Sequence, residues 1–107
     1  MLLTPLDDIE RSLGTERPAL LVLGRPSCDD CVAWYAALSA WQSPRPLDIH
    51  TLDLTTPEGT AFKAANAWTE HIDFIPFNVL YVNGEPVEHW TGERLERLEQ
   101  RLEALED

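Results

Sequence analysis

Apolar and polar positions fall into blocks that mark out the elements of the chain. Ala19-Leu20-Leu21-Val22-Leu23-Gly24 is an unbroken apolar run of strand length. A strand with no polar face is covered on both sides, which places it centrally in an α/β sheet. Arg25-Pro26-Ser27 breaks the run, and a helix is predicted over 28–41, with Val32, Tyr35, Leu38 and Trp41 near one face. Ser43-Pro44-Arg45-Pro46 stops it. Residues 47–54 read as a second strand of less regular pattern, nearer an edge. Thr55-Thr56-Pro57-Glu58 opens a further helix, whose buried stripe is Phe62, Ala65, Trp68 and Ile72.

After a break at 73–76, Phe77-Asn78-Val79-Leu80-Tyr81-Val82 reads as a strand. Asn83-Gly84 turns it into another over 85–90, Asn-Gly being the strongest short hairpin signal. Gly92 leads into a last helix over 93–107, with Leu95, Leu98, Leu102 and Leu105 on one face. Ahead of the first strand, Thr4 as N-cap, Pro5 at the first helical position and Asp7-Asp8 in the first turn predict a short helix ending near Gly14. The first two strands are joined through a helix and should be parallel with a right-handed crossover. The expected fold is α/β: a mixed sheet of four strands, with a short fifth as an option at 1–3, and helices on both faces. The 107 residues make one domain with one core, and 44% apolar content suits an ordered globule.

Charge narrows the partners. Nineteen acidic against eight basic residues give a net charge of −11, which repels nucleic acid and anionic membrane surfaces alike. The amino terminus has no basic segment followed by an apolar stretch of signal-peptide length, and no run is long enough to cross a membrane. A cytoplasmic protein is expected. In that compartment a close pair of cysteines is more often catalytic or metal-binding than a structural disulfide.

That pair is Cys28 and Cys31, the only cysteines in the chain, set where the apolar strand runs into a helix. Unsatisfied N–H groups in a first helical turn favour an anion, and the thiolate is the form of cysteine that attacks disulfides. A zinc site would need two further ligands. The candidates His50, His71 and His89 are not paired at ligand spacing, and His50 and His89 fall in separate strands, so no metal is expected. Trp34, Trp41, Trp68 and Trp90 read as helix–sheet packing, as does Tyr35 on the cysteine helix, and His71 as a solvated residue at a helix end. The leucine stripe of the last helix is too short for three coiled-coil heptads and is expected to pack on the sheet.

In their joint order these features resemble the thioredoxin family over nearly the whole chain. The matching parts are the strand, CxxC and helix unit at 20–31, Ile75-Pro76 before the third strand, the hairpin at 79–87 and Gly92 before the last helix. The resemblance implies that Cys28 is the exposed attacking thiolate and Cys31 the resolving thiol. Pro76 would be a cis-proline facing them, leaving the backbone at Ile75 free to pair with substrate, with Arg25, Ser27 and Phe74 around the rim. The implied partners are a disulfide-containing protein or small thiol and an electron donor of unassigned identity; no cofactor is implied.

Three positions depart from the family pattern. Ser27 stands where Trp is usual, Asp29-Asp30 where Gly-Pro is usual, and Val22 where a buried Asp is usual. The last removes the usual proton acceptor for the resolving thiol. Glutaredoxins, the nearest relatives, pair the first cysteine with a basic residue, a part Arg25 could take, but their late Gly-Gly is absent here and glutathione is not favoured. Asp29 and Asp30 complement the helix dipole by about 0.3–1 kcal/mol each. They also oppose a nearby thiolate, by about 1 kcal/mol for a unit charge ~4 Å away in water. Asp73 adds a third negative charge near the rim. The motif therefore leans toward a reductant of protein disulfides. The alternative is a binding or redox-sensing module of the same fold, motivated by Val22 and the Ser27-Cys28-Asp29-Asp30-Cys31 loop.

Overall fold

Alternate side chains of the apolar run at 19–24 enter two separate cores, one on each face of a five-stranded sheet. The computed structural model describes residues 1–7, 9–72, 74–92 and 94–105. Asp8, Asp73, Glu93 and Asp107, each given a part in the expectations above, lie outside the described residues, as does the side chain of His71. In chain order the elements are β1 (Leu3–Pro5), α1 (Ile9–Leu13), β2 (Ala19–Gly24), α2 (Asp29–Ala40), β3 (Asp48–Asp53) and α3 (Pro57–Ala65). A 3-10 helix (Ala67–His71), β4 (Phe77–Val82), β5 (Glu85–Thr91) and α4 (Leu95–Ala104) complete the chain.

The sheet order is β1-β3-β2-β4-β5, with β2 in the middle. β1, β3 and β2 are parallel, while β4 runs antiparallel to β2 and β5 antiparallel to β4. Leu20 and Val22 point to the core built with Trp34, Leu38 and Trp41 of the α2 segment and Leu98 and Leu102 of α4. Leu21 and Leu23 point to the other, with Leu13 at the end of α1 and Phe62 of α3. Every residue of β2 is buried, which is why the run has no polar position. At the hairpin, Asn83 and Gly84 both have positive φ (53° and 82°), the conformation that an Asn-Gly turn serves.

Three expectations are corrected. Thr4 and Pro5 do not open a helix. They pair with His50 and Thr51 as the fifth strand, where a proline is tolerated because it sits on an edge. β3 lies second from that edge, between β1 and β2, nearer the edge than the central strand as its irregular pattern suggested. The helix after Pro57 stops at Ala65, capped by Asn66, and Trp68 belongs to the 3-10 helix; Ala65 is exposed. On α2 the buried positions are Cys31, Trp34 and Leu38, whereas Val32 is 52% exposed.

Candidate active site

Cys28 sits at the junction of the central strand and the helix that crosses its face. Its backbone is extended, and its Sγ accepts the Cys31 backbone N–H at 3.1 Å, so the sulfur itself caps α2. A side-chain acceptor at this position satisfies one of the free N–H groups of the first turn and meets the positive end of the helix dipole. The preceding turn is closed by the Cys28 N–H donating to the Arg25 carbonyl at 3.2 Å.

The two thiols occupy different environments. Both are free; Cys28 is partly exposed and Cys31 is completely buried. Burial pushes the Cys31 thiol up from 9.0 to about 11, with its hydrogen bond to Cys28 adding to the shift and the Arg25 backbone opposing it. Cys31 is therefore a neutral thiol near neutral pH.

The segment before β4 faces this pair. Ile75–Pro76 is a cis peptide, and the Ile75 carbonyl oxygen lies 3.9 Å from Cys28 Sγ. Pro76 is buried, and its carbonyl accepts the Gly92 N–H at 3.1 Å, fastening the loop after β5 to the site. Ser27, Arg25, Asp29 and Asp30 are all exposed at the rim. Phe74 is 74% exposed and Val32 52%, so two large apolar side chains stand in solvent on the segments that carry the cysteines and Pro76.

Residues passed over in the sequence also shape the site. Trp34 Nε1 donates to Asn78 Oδ1 at 2.8 Å, and Asn78 Nδ2 donates to the carbonyls of Gly92 at 2.9 Å and Trp90 at 3.4 Å. This buried chain ties the cysteine helix to β4 and to the loop that holds Pro76. The signal for it was a lone Asn inside an otherwise apolar strand. Gly24 is the other: a Cβ there would lie 2.6 Å from the Tyr35 hydroxyl and 2.9 Å from Cys31 Sγ, so only glycine leaves both groups their space. Tyr35 lies four residues after Cys31 on α2, one turn along the same face.

Trp34, Trp41 and Trp90 are core residues, and the half-buried Trp68 stacks on His89, with ring centroids 5.7 Å apart. Among the described residues, no group of three or more His, Cys, Asp or Glu is arranged to hold a metal ion. Nor is any helix among them long and apolar enough to cross a membrane.

No protein-family model matches the sequence, and no curated protein matches it either. Solved structures do resemble it in three dimensions. Spinach chloroplast thioredoxin f, in its short form, superposes with a TM-score of 0.73 at 16% identity, covering 95% of this chain and 91% of that one. Chlamydomonas reinhardtii thioredoxin f2 gives 0.73 at 18% identity, covering 94% and 93%. The Malassezia sympodialis thioredoxin Mala s 13 gives 0.67 at 13% identity, covering 94% and 86%. At these identities the likeness speaks to the path of the chain, and on that the structures agree: this protein has a thioredoxin-like fold.

Proposed function

We propose that the protein is a thiol–disulfide oxidoreductase that reduces disulfides of other proteins through Cys28 and Cys31. The observation that carries this reading is the division between the two thiols. Cys28 is reachable and caps a helix with its sulfur, while Cys31 is buried one turn behind it. The Cys28 thiolate attacks one sulfur of a substrate disulfide, forming a mixed disulfide and releasing the other sulfur as a thiolate that takes up a proton. Cys31 then loses its proton and attacks Cys28 Sγ, expelling the second substrate thiolate. The substrate gains two electrons and two protons, and an external dithiol returns the Cys28–Cys31 disulfide to its reduced form.

Rim residues fit this reading. The Ile75 backbone beside Cys28 offers hydrogen bonds to an extended substrate, with Ser27 exposed next to it. Phe74 and Val32 offer apolar contact, Arg25 a positive charge, and Asp29 and Asp30 negative charge next to the reacting sulfur. No cofactor takes part. An insulin-disulfide reduction assay driven by dithiothreitol tests the proposal. Wild type should accelerate precipitation of the insulin B chain, and Cys28→Ser should not. Equal rates with wild type, Cys28→Ser and no protein would instead favour a binding or redox-sensing role.

A further inference from the structure

Resolution of the mixed disulfide requires negative charge on a buried sulfur. Cys31 is completely buried, and among the described residues no Asp or Glu is buried, so no carboxylate is buried beside it. The charged and titratable groups around Cys31 and Tyr35 come from α2, β3 and the turn before α2. Cys28 at the helix cap and Arg25 in the β2–α2 turn act on Cys31, and Asp53 at the end of β3 acts on Tyr35 of α2. Asp53 is already engaged, accepting from the Thr55 N–H at 2.8 Å and the Thr55 hydroxyl at 2.6 Å. Arg25 is exposed to solvent.

Tyr35 is placed differently. Its hydroxyl and Cys31 Sγ crowd the same point over Gly24, where a single methyl group would collide with both. We propose that the Tyr35 hydroxyl is the hydrogen-bond donor that stabilises the Cys31 thiolate as it forms during resolution, with Gly24 leaving free the space that borders both groups. This rests on the dithiol mechanism above. Burial pushes the Tyr35 hydroxyl from 10.0 up to about 12, and negative charge at Cys31, Asp53 and Cys28 adds to the rise. It therefore keeps its proton across the working range and can donate it in a hydrogen bond to a thiolate. The electron flow of the reaction is unchanged: the Cys31 proton goes to solvent, the S–S bond forms between Cys31 and Cys28, and Tyr35 keeps its own proton.

Tyr35→Phe removes the hydroxyl and keeps the ring. Reduced protein mixed with dithiobis-nitrobenzoate releases one coloured thiol as Cys28 is captured and a second as Cys31 resolves the adduct, so stopped-flow absorbance separates the two steps. In Tyr35→Phe the second phase should slow roughly ten- to hundredfold, the loss of one hydrogen bond to a charged group. Its pH midpoint should move up, while the first phase keeps its wild-type rate. A purely structural role would leave that pH midpoint in place. A Tyr35→Phe second phase with wild-type rate and midpoint would overturn the role of Tyr35 alone. A wild-type protein that shows no second phase would overturn the dithiol mechanism and this inference together.

Discussion

Asp29 and Asp30 stand exposed in the first turn of the helix that Cys28 caps. They favour the helix dipole and disfavour the thiolate, and the second effect bears on redox poise. Replacing both with Asn should relieve about 1–2 kcal/mol of repulsion. At about 1.4 kcal/mol per 30 mV, the potential should rise by roughly 20–40 mV toward a more oxidising value. The rise should shrink in high salt, because exposed charges are screened. Equilibration against glutathione redox buffers at two ionic strengths measures both; an unchanged potential would confine the aspartates to starting the helix. At this scale the cysteines were legible from their spacing at a strand–helix junction, and Ile75-Pro76 only through the resemblance to a known family. Tyr35 was not. An aromatic residue on a largely apolar helix reads as packing, and only the backbone path brings Gly24 beside it.

Between elements, the chain from Trp34 through Asn78 to Gly92 couples the cysteine helix to the loop bonded to Pro76. All of its side-chain polar atoms are withdrawn from water, so breaking it leaves unsatisfied groups. Asn78→Ala should lower unfolding stability by about 2–4 kcal/mol, from a cavity plus orphaned partners at Trp34 and Gly92. Asn78→Leu combined with Trp34→Phe should cost less than the two single substitutions added together, since the pair removes both ends of one bond. Urea denaturation of the variants measures this, and strict additivity would show that the bond contributes little. The elements themselves were mostly readable: the central strand from its unbroken apolar run, the hairpin from Asn83-Gly84. What failed were the places where a local cue competes with pairing. Thr4-Pro5 has the chemistry of a helix start, yet the open edge of β3 offers its backbone partners, and the strand wins. The helix after Pro57 ends early because Asn66 turns its side chain back to the Phe62 carbonyl at 2.8 Å.

Burial raises three protonated groups of the whole molecule above their ordinary range: the Cys31 thiol and the Tyr35 and Tyr81 hydroxyls. The raised values of Cys31 and Tyr35 mean that the folded state holds protons the unfolded chain releases. That contribution to stability is complete below the unfolded values of 9.0 and 10.0, and it is lost as pH rises through about 11 and about 12. The thermal midpoint of the reduced protein should therefore fall steadily above about pH 9. The oxidised protein, with no ionisable Cys31, should fall less over the same range. A wild-type slope that is the same in both redox states would remove Cys31 as its source.

The division of labour between the two sulfurs is the claim on which the rest depends, and a single trapping measurement reaches it most directly. Cys31→Ser, reduced and then incubated with an oxidised protein substrate, is analysed by intact mass and peptide mapping after acid quench. The account predicts a stable mixed disulfide at Cys28, reversed by dithiothreitol, and no comparable adduct on Cys28→Ser, whose one thiol is buried. An adduct that forms as readily on Cys28→Ser through Cys31, or none on either variant, would contradict it.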